Sequence, residues 1–111
     1  MTATTPNWLD IGALTDIPAR GARVVKTPRG CLAVFRAFDD TVFALDDRCP
    51  HKGGPLSDGI VHGHRVTCPL HGLVIDLETG AAATPEDGSV RAHAIRVEAG
   101  RILLGVEALR A

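Results

Sequence analysis

The residues with chemistry to offer lie in one stretch, CPHKGGPLSDGIVHGHRVTCPLH, residues 49–71. Cys49 and His51 form a C-x-H pair, Cys68 and His71 form a C-x-x-H pair, and sixteen residues separate His51 from Cys68. Thiolates and imidazoles are ligands for zinc and for iron. Two loops that each deliver one of each can close a four-ligand site. Three readings compete: unrelated loop residues, a structural Cys₂His₂ zinc site, or a [2Fe–2S] centre with two Cys on one iron and two His on the other. Two uncommon residue types recurring in close pairs argue against coincidence. A zinc finger places both Cys in one pair and both His in the other. Here each pair is mixed, which favours the two-iron reading.

That ligand set fixes the charge of the site. An oxidised two-iron, two-sulfide core is doubly positive. Four thiolates would make it doubly negative, whereas two thiolates and two neutral imidazoles leave it neutral. An electron enters a neutral centre more readily than a dianion. Bridging sulfides also need hydrogen-bond donors, and Gly53, Gly54 and Gly72 are expected to let the backbone approach closely enough to supply them. Pro55 is a further supporting residue of the first loop. Lys52, next to His51, is either a partner-docking charge beside the exposed cluster edge or a solvated loop lysine.

The rest of the chain reads as short strands that hold these loops. Trp8 to Ile11 starts a first strand, and Leu14 to Gly21, with Pro18, reads as a turn or one short helical turn. Ala22 to Thr27, Cys31 to Ala37 and Thr41 to Leu45 form a meander, with turns at Pro28-Arg29-Gly30 and Asp39-Asp40. Gly59 to His62 and Arg65 to Thr67 read as a hairpin across His62-Gly63-His64. Gly72 to Leu77 is another strand, 81–89 a loop, and Val90 to Glu98 with Arg101 to Val106 a last hairpin about Ala99-Gly100. There is no long helical pattern, heptad or repeat. The expected fold class is all-β.

Composition removes several function classes. The 111 residues fit one domain. The net charge of −1 gives no basic patch for nucleic acid, and one Trp, three Phe and no Tyr make a poor base-stacking platform. No apolar run approaches the roughly 20 residues of a membrane span. The N-terminal MTATTPNWLDIGAL has neither a basic start nor a signal-length apolar core. A cytoplasmic protein is expected, and there Cys paired with His suggests metal more than disulfide. No Ser-His-Asp or paired-carboxylate constellation stands out.

The stretch resembles the Rieske [2Fe–2S] family, whose pattern is C-x-H followed at a comparable spacing by C-x-x-H. The resemblance implies that Cys49 and Cys68 bind the inner iron and that His51 and His71 bind the outer iron near the surface. It implies stacked antiparallel sheets in a single domain, 1–111, with residues 46–77 as a small two-loop cluster-binding subdomain and the flanks as a base with its own core. In high-potential members each loop carries a further Cys, and the two form a disulfide. Those positions are Gly54 and Leu70 here. The Ser and Tyr hydroxyls that such members donate to the cluster correspond to Leu73 and Ile75. With these donors gone, a potential in the lower half of the Rieske range of roughly −150 to +300 mV is expected.

The wording narrows the resemblance. DDRCPHKGGPLSDGIVHG, then VTCPLHGLVIDLETG, together with DIPARGARVVKT and LAVFRAFDDTVFALDDRCPH upstream, is similar to the small subunit of assimilatory NAD(P)H-dependent nitrite reductases. It departs at Leu73, where many relatives have Trp. This resemblance implies a large-subunit partner carrying siroheme, an iron–sulfur cluster and FAD, which reduces nitrite to ammonia in nitrate assimilation. The chain has no nucleotide-binding glycine fingerprint and no room for siroheme, so its share of the chemistry is one-electron transfer or structural support. A free Rieske ferredoxin of an aromatic-ring dioxygenase is the alternative within the family. A zinc-stabilised interaction module is the alternative outside it.

The remaining residues read more plainly. Cys31, in an apolar strand, is expected to be a buried structural thiol. His62 and His64 are turn histidines or accessory ligands. Asp46, Asp47 and Arg48 can set local charge, and His93 suggests no role.

Overall fold

The computed structural model describes residues 8–28, 30–50, 54–69, 72–83 and 88–105. Ten strands account for half of the described residues: β1 Trp8–Ala13, β2 Ala22–Thr27, β3 Gly30–Arg36, β4 Val42–Asp46, β5 Ile60–His62, β6 Arg65–Thr67, β7 Val74–Asp76, β8 Ala92–His93, β9 Ile95–Glu98 and β10 Arg101–Gly105. Two three-residue 3-10 turns, Leu14–Asp16 and Leu56–Asp58, are the described helical pieces. The strands form three sheets with the orders β1-β10-β9, β2-β3-β4-β8 and β5-β6-β7. All pairings between these strands are antiparallel. The all-β expectation holds.

Side-chain alternation explains how the sheets stack. Leu32, Val34, Val42 and Ala44 of the four-stranded sheet join Ile17, Ile102 and Leu104 in one core. Ala33, Phe35 and Leu45, from the opposite face, join Val61, Val66 and Ile75 in a second core. Successive residues of a strand point to opposite faces. β3 and β4 therefore feed both cores, and β3 reads as the near-continuous apolar run of a strand covered on both sides. The expected separation between base and cluster loops is only partial. The second core also contains Cys49 and Cys68, so one face of the base sheet is continuous with the region of these two cysteines.

Three boundaries differ from the sequence reading. The expected single strand from Val90 to Glu98 is split: β8 pairs with β4, while β9 pairs with β10 in another sheet. Ala94 between them directs its carbonyl to the Gly105 N–H, 2.8 Å away, so the chain changes sheets there. The strand expected from Gly72 shortens to Val74–Asp76, because Gly72 adopts φ +70° and closes the preceding loop. Residues 81–89 are not a plain loop, since Ala82 bridges to Ile75 and Ala81 to Ser89. The turn about Gly80 brings its backbone close to that of Val90. A Cβ there would stand 2.1 Å from the Val90 carbonyl oxygen, which only glycine permits.

Candidate metal centre

Of the four expected ligands, Cys49 and Cys68 lie within the described residues. His51 and His71 lie outside them, as do Lys52 and Gly53 of the expected supporting set. The two cysteines share one buried core, in which both are grouped with Val66, and each is only 1% exposed. No disulfide joins Cys31, Cys49 or Cys68.

Each cysteine begins a loop closed by its own backbone. The Cys49 N–H donates to the Gly54 carbonyl at 2.6 Å, so the first loop curls back within a few residues. Gly54 is buried and Pro55, beyond it, is exposed. In the second loop the Cys68 N–H donates to the Leu73 carbonyl at 2.7 Å, and the Gly72 N–H donates to the Cys68 carbonyl at 3.0 Å. The Gly72 amide is thus engaged by a backbone carbonyl, and its φ of +70° favours glycine. Ile75 is fully buried and Leu73 packs against the same core. The two positions expected to lack hydroxyl donors therefore present apolar side chains to the cysteine region.

The residues before Cys49 tie the loop to the sheets. The Asp46 N–H donates to the Arg91 carbonyl at 3.0 Å, and Asp46 Oδ1 lies 2.8 Å from His93 Nε2. The His93 side chain is 4% exposed, so a residue for which the sequence suggested no role is a buried partner of the ligand-loop entrance. No short motif points to it, because the two positions are far apart in the chain and meet only through the β4–β8 pairing. Asp47 accepts two hydrogen bonds from Ser57, from its N–H at 2.8 Å and from its hydroxyl at 2.9 Å. Beside Cys49 is an open cavity of about 590 Å3, lined by Asp46, Arg48, Pro50, Ser89, Val90 and Arg91 as well.

The other candidates are placed elsewhere. Cys31 is exposed, which corrects the expected buried thiol: it sits at the start of β3, paired with Lys26, before the stretch that both cores cover. His62 Nε2 lies 2.6 Å from Thr67 Oγ1, and His64 Nε2 lies 2.9 Å from Asp39 Oδ2. The His64 ring also packs near Phe43, with centroids 5.1 Å apart. The Asp39 carboxyl is held below its ordinary value by the Thr41 hydrogen bond first and by His64 second. Both histidines are thus engaged at the surface.

Two cysteines in one dry core, each opening a tightly closed loop, suit a soft-ligand metal centre. The model of the Rieske [2Fe–2S] domain matches residues 7–94, a span that contains both loops. The chain belongs to the Rieske family. The ferredoxin component of the naphthalene 1,2-dioxygenase/salicylate 5-hydroxylase systems of Ralstonia sp. is 32% identical over 104 residues, covering 93% of this chain and 99% of that one. The anthranilate 1,2-dioxygenase ferredoxin subunit of Burkholderia cepacia is 34% identical over 105 residues, covering 94% and 96%. Among solved structures, a putative NADH-dependent nitrite reductase small subunit from Mycobacterium tuberculosis superposes with a TM-score of 0.80 at 25% identity, covering 90% and 95%. The protein is a Rieske electron-transfer domain, and its cofactor is one Rieske-type [2Fe–2S] cluster rather than zinc. No helix among the described residues is long and apolar enough to cross a membrane.

Proposed function

We propose that Cys49, His51, Cys68 and His71 hold the cluster, with the thiolates on the inner iron and the imidazoles on the outer one. The burial of Cys49 and Cys68 in one core supports the first half of this assignment. The C-x-H and C-x-x-H spacing supports the second. When bound, the cluster supplies one-electron acceptance and release. The chain's own residues hold the thiolates away from water, close each loop through a backbone hydrogen bond and keep apolar side chains, Ile75 and Leu73, against the site. Residues 46–77 act as the cluster-binding subdomain of a single domain.

The protein serves as the electron-transfer small subunit of a cytoplasmic NAD(P)H-dependent nitrite reductase, working with a large subunit that carries siroheme, an iron–sulfur cluster and FAD. The observation that carries this reading is the run DDRCPHKGGPLSDGIVHG with VTCPLHGLVIDLETG. The superposition on the mycobacterial small subunit over nine-tenths of the chain supports it. A second reading, the ferredoxin component of an aromatic-ring dioxygenase, is favoured by the higher identity to the two ferredoxins. Reconstitution separates them. The reduced protein is mixed in turn with a siroheme nitrite reductase large subunit and with a terminal aromatic-ring oxygenase, and cluster reoxidation is followed optically. Complex formation and reoxidation with the first alone support the nitrite reductase assignment. Reoxidation by the oxygenase alone overturns it.

A further inference from the structure

We propose that Asp47 is a positioning residue, a carboxylate brace that fixes the two cysteine loops relative to each other. The inference rests on the ligand reading above and concerns how the thiolates are held. Segment 47–57 leaves β4, passes through Cys49 and returns at the turn Leu56–Asp58. One side chain joins its two ends: Asp47 Oδ1 accepts the Ser57 N–H at 2.8 Å and Oδ2 accepts the Ser57 hydroxyl at 2.9 Å. Asp47 is itself anchored, its N–H donating to the Cys31 carbonyl at 3.0 Å.

The far end of this brace leads to the second loop. Gly59 follows the turn and is pressed onto β6. A Cβ at Gly59 would stand 2.4 Å from the Thr67 carbonyl oxygen and 2.8 Å from Val66 Cγ2. Thr67 immediately precedes Cys68. Leu56, fully buried, packs in the same core as both cysteines. The path from Cys49 through Asp47, Ser57 and Gly59 to Cys68 is therefore continuous, and Asp47 is its link across the loop neck. Ser57 presents an N–H and a hydroxyl, and Asp47 meets them with one oxygen each. Asparagine keeps this geometry: its carbonyl accepts the N–H, and its amide donates to the hydroxyl oxygen. Alanine keeps neither bond.

The test uses the full-length protein with its cluster. Asp47→Ala, Asp47→Asn and Ser57→Ala are compared with the parent by iron and sulfide content, by the rate of cluster loss to an iron chelator, and by the EPR spectrum of the reduced state. Asp47→Ala is expected to lose its cluster about tenfold faster, the scale of two lost hydrogen bonds to a partly exposed charged group. Its EPR lines shift and broaden. Asp47→Asn restores the parent spectrum and a release rate within about twofold, and Ser57→Ala falls between. Rescue by asparagine is what a general loss of negative charge would not produce. Parent-like release and EPR in Asp47→Ala, or release from Asp47→Asn as fast as from Asp47→Ala, overturns the brace. If Asp47→Ala accumulates without iron, Ser57→Ala carries the test, since it keeps the backbone bond: a parent-like Ser57→Ala then overturns the proposal and faster release supports it. A parent protein without a reduced [2Fe–2S] EPR signal defeats the ligand reading instead, so the two failures are distinct.

Discussion

At the scale of single residues, spacing alone groups two of the cysteines: Cys49 and Cys68 each open a short mixed pair, and both are buried in one core. Cys31 was misread because an apolar run predicts burial without saying where cover begins, and it lies just outside the covered part of β3. His93 was invisible for the opposite reason, since its partner Asp46 is remote in sequence. The chemistry around the cysteines sets a measurable property. Leu73 and Ile75 pack in or against the cysteine core, and neither side chain can donate a hydrogen bond to sulfur. Fewer donors leave the added electron less stabilised. The midpoint potential is expected in the lower half of the roughly −150 to +300 mV Rieske range. Protein-film voltammetry measures it, and a value above about +200 mV contradicts the argument.

At the scale of elements, hairpins were the readable part. Turn residues bounded by apolar runs placed β2, β3 and β4 and the β5–β6 hairpin within a residue or two of their observed limits. The sheet change at Ala94 was not readable, because local alternation continues through it and only the partner strands differ. Side chains reinforce one of these pairings across the whole chain length. Asp10 of β1 receives Arg101 of β10 through two bonds of 2.9 Å each. It also accepts the Gly12 N–H at 2.9 Å, beside the register shift between Asp10 and Gly12. The Arg101 hydrogen bond first, and the Gly12 N–H second, hold the Asp10 carboxyl below its ordinary value of 3.8. A carboxylate whose pKa is depressed by folding stabilises the fold above the unfolded value and loses that contribution as the pH falls through the folded one. The urea midpoint of the parent is therefore expected to exceed that of Asp10→Asn near neutrality, with the gap closing on acidification below 3.8. Both side chains are about half exposed, so the gap is small and shrinks with added salt. A gap that persists unchanged into strong acid contradicts the assignment.

At the scale of the whole molecule, the all-β class was legible, but the partition of the core was not. A sequence gives which positions are apolar and alternate. It does not say which of two neighbouring sheets covers each face. β3 and β4 supply Leu32, Val34, Val42 and Ala44 to one core and Ala33, Phe35 and Leu45 to the other, and both cysteines belong to the second. Cluster removal is therefore predicted to act on one side of the four-stranded sheet. With the ligands proposed above, removing the cluster takes away the link between the Cys49 and Cys68 loops, and the core that contains Val66, Ile75 and Leu77 is expected to loosen around them. The core of Ile17, Val34, Ile102 and Leu104 contains neither cysteine, and its sheet β1-β10-β9 keeps its register. Hydrogen exchange of the holo and cluster-free proteins reads this directly, since local opening is faster where fewer constraints remain. Peptides from β5, β6 and β7 are expected to exchange much faster in the cluster-free form, while those from β1 and β10 stay within about twofold of the holo protein. Because β3 serves both cores, its amides should fall between these limits. Equal acceleration of β10 and β6 would mean that the two cores open as one unit and that the sheet between them does not separate their stabilities.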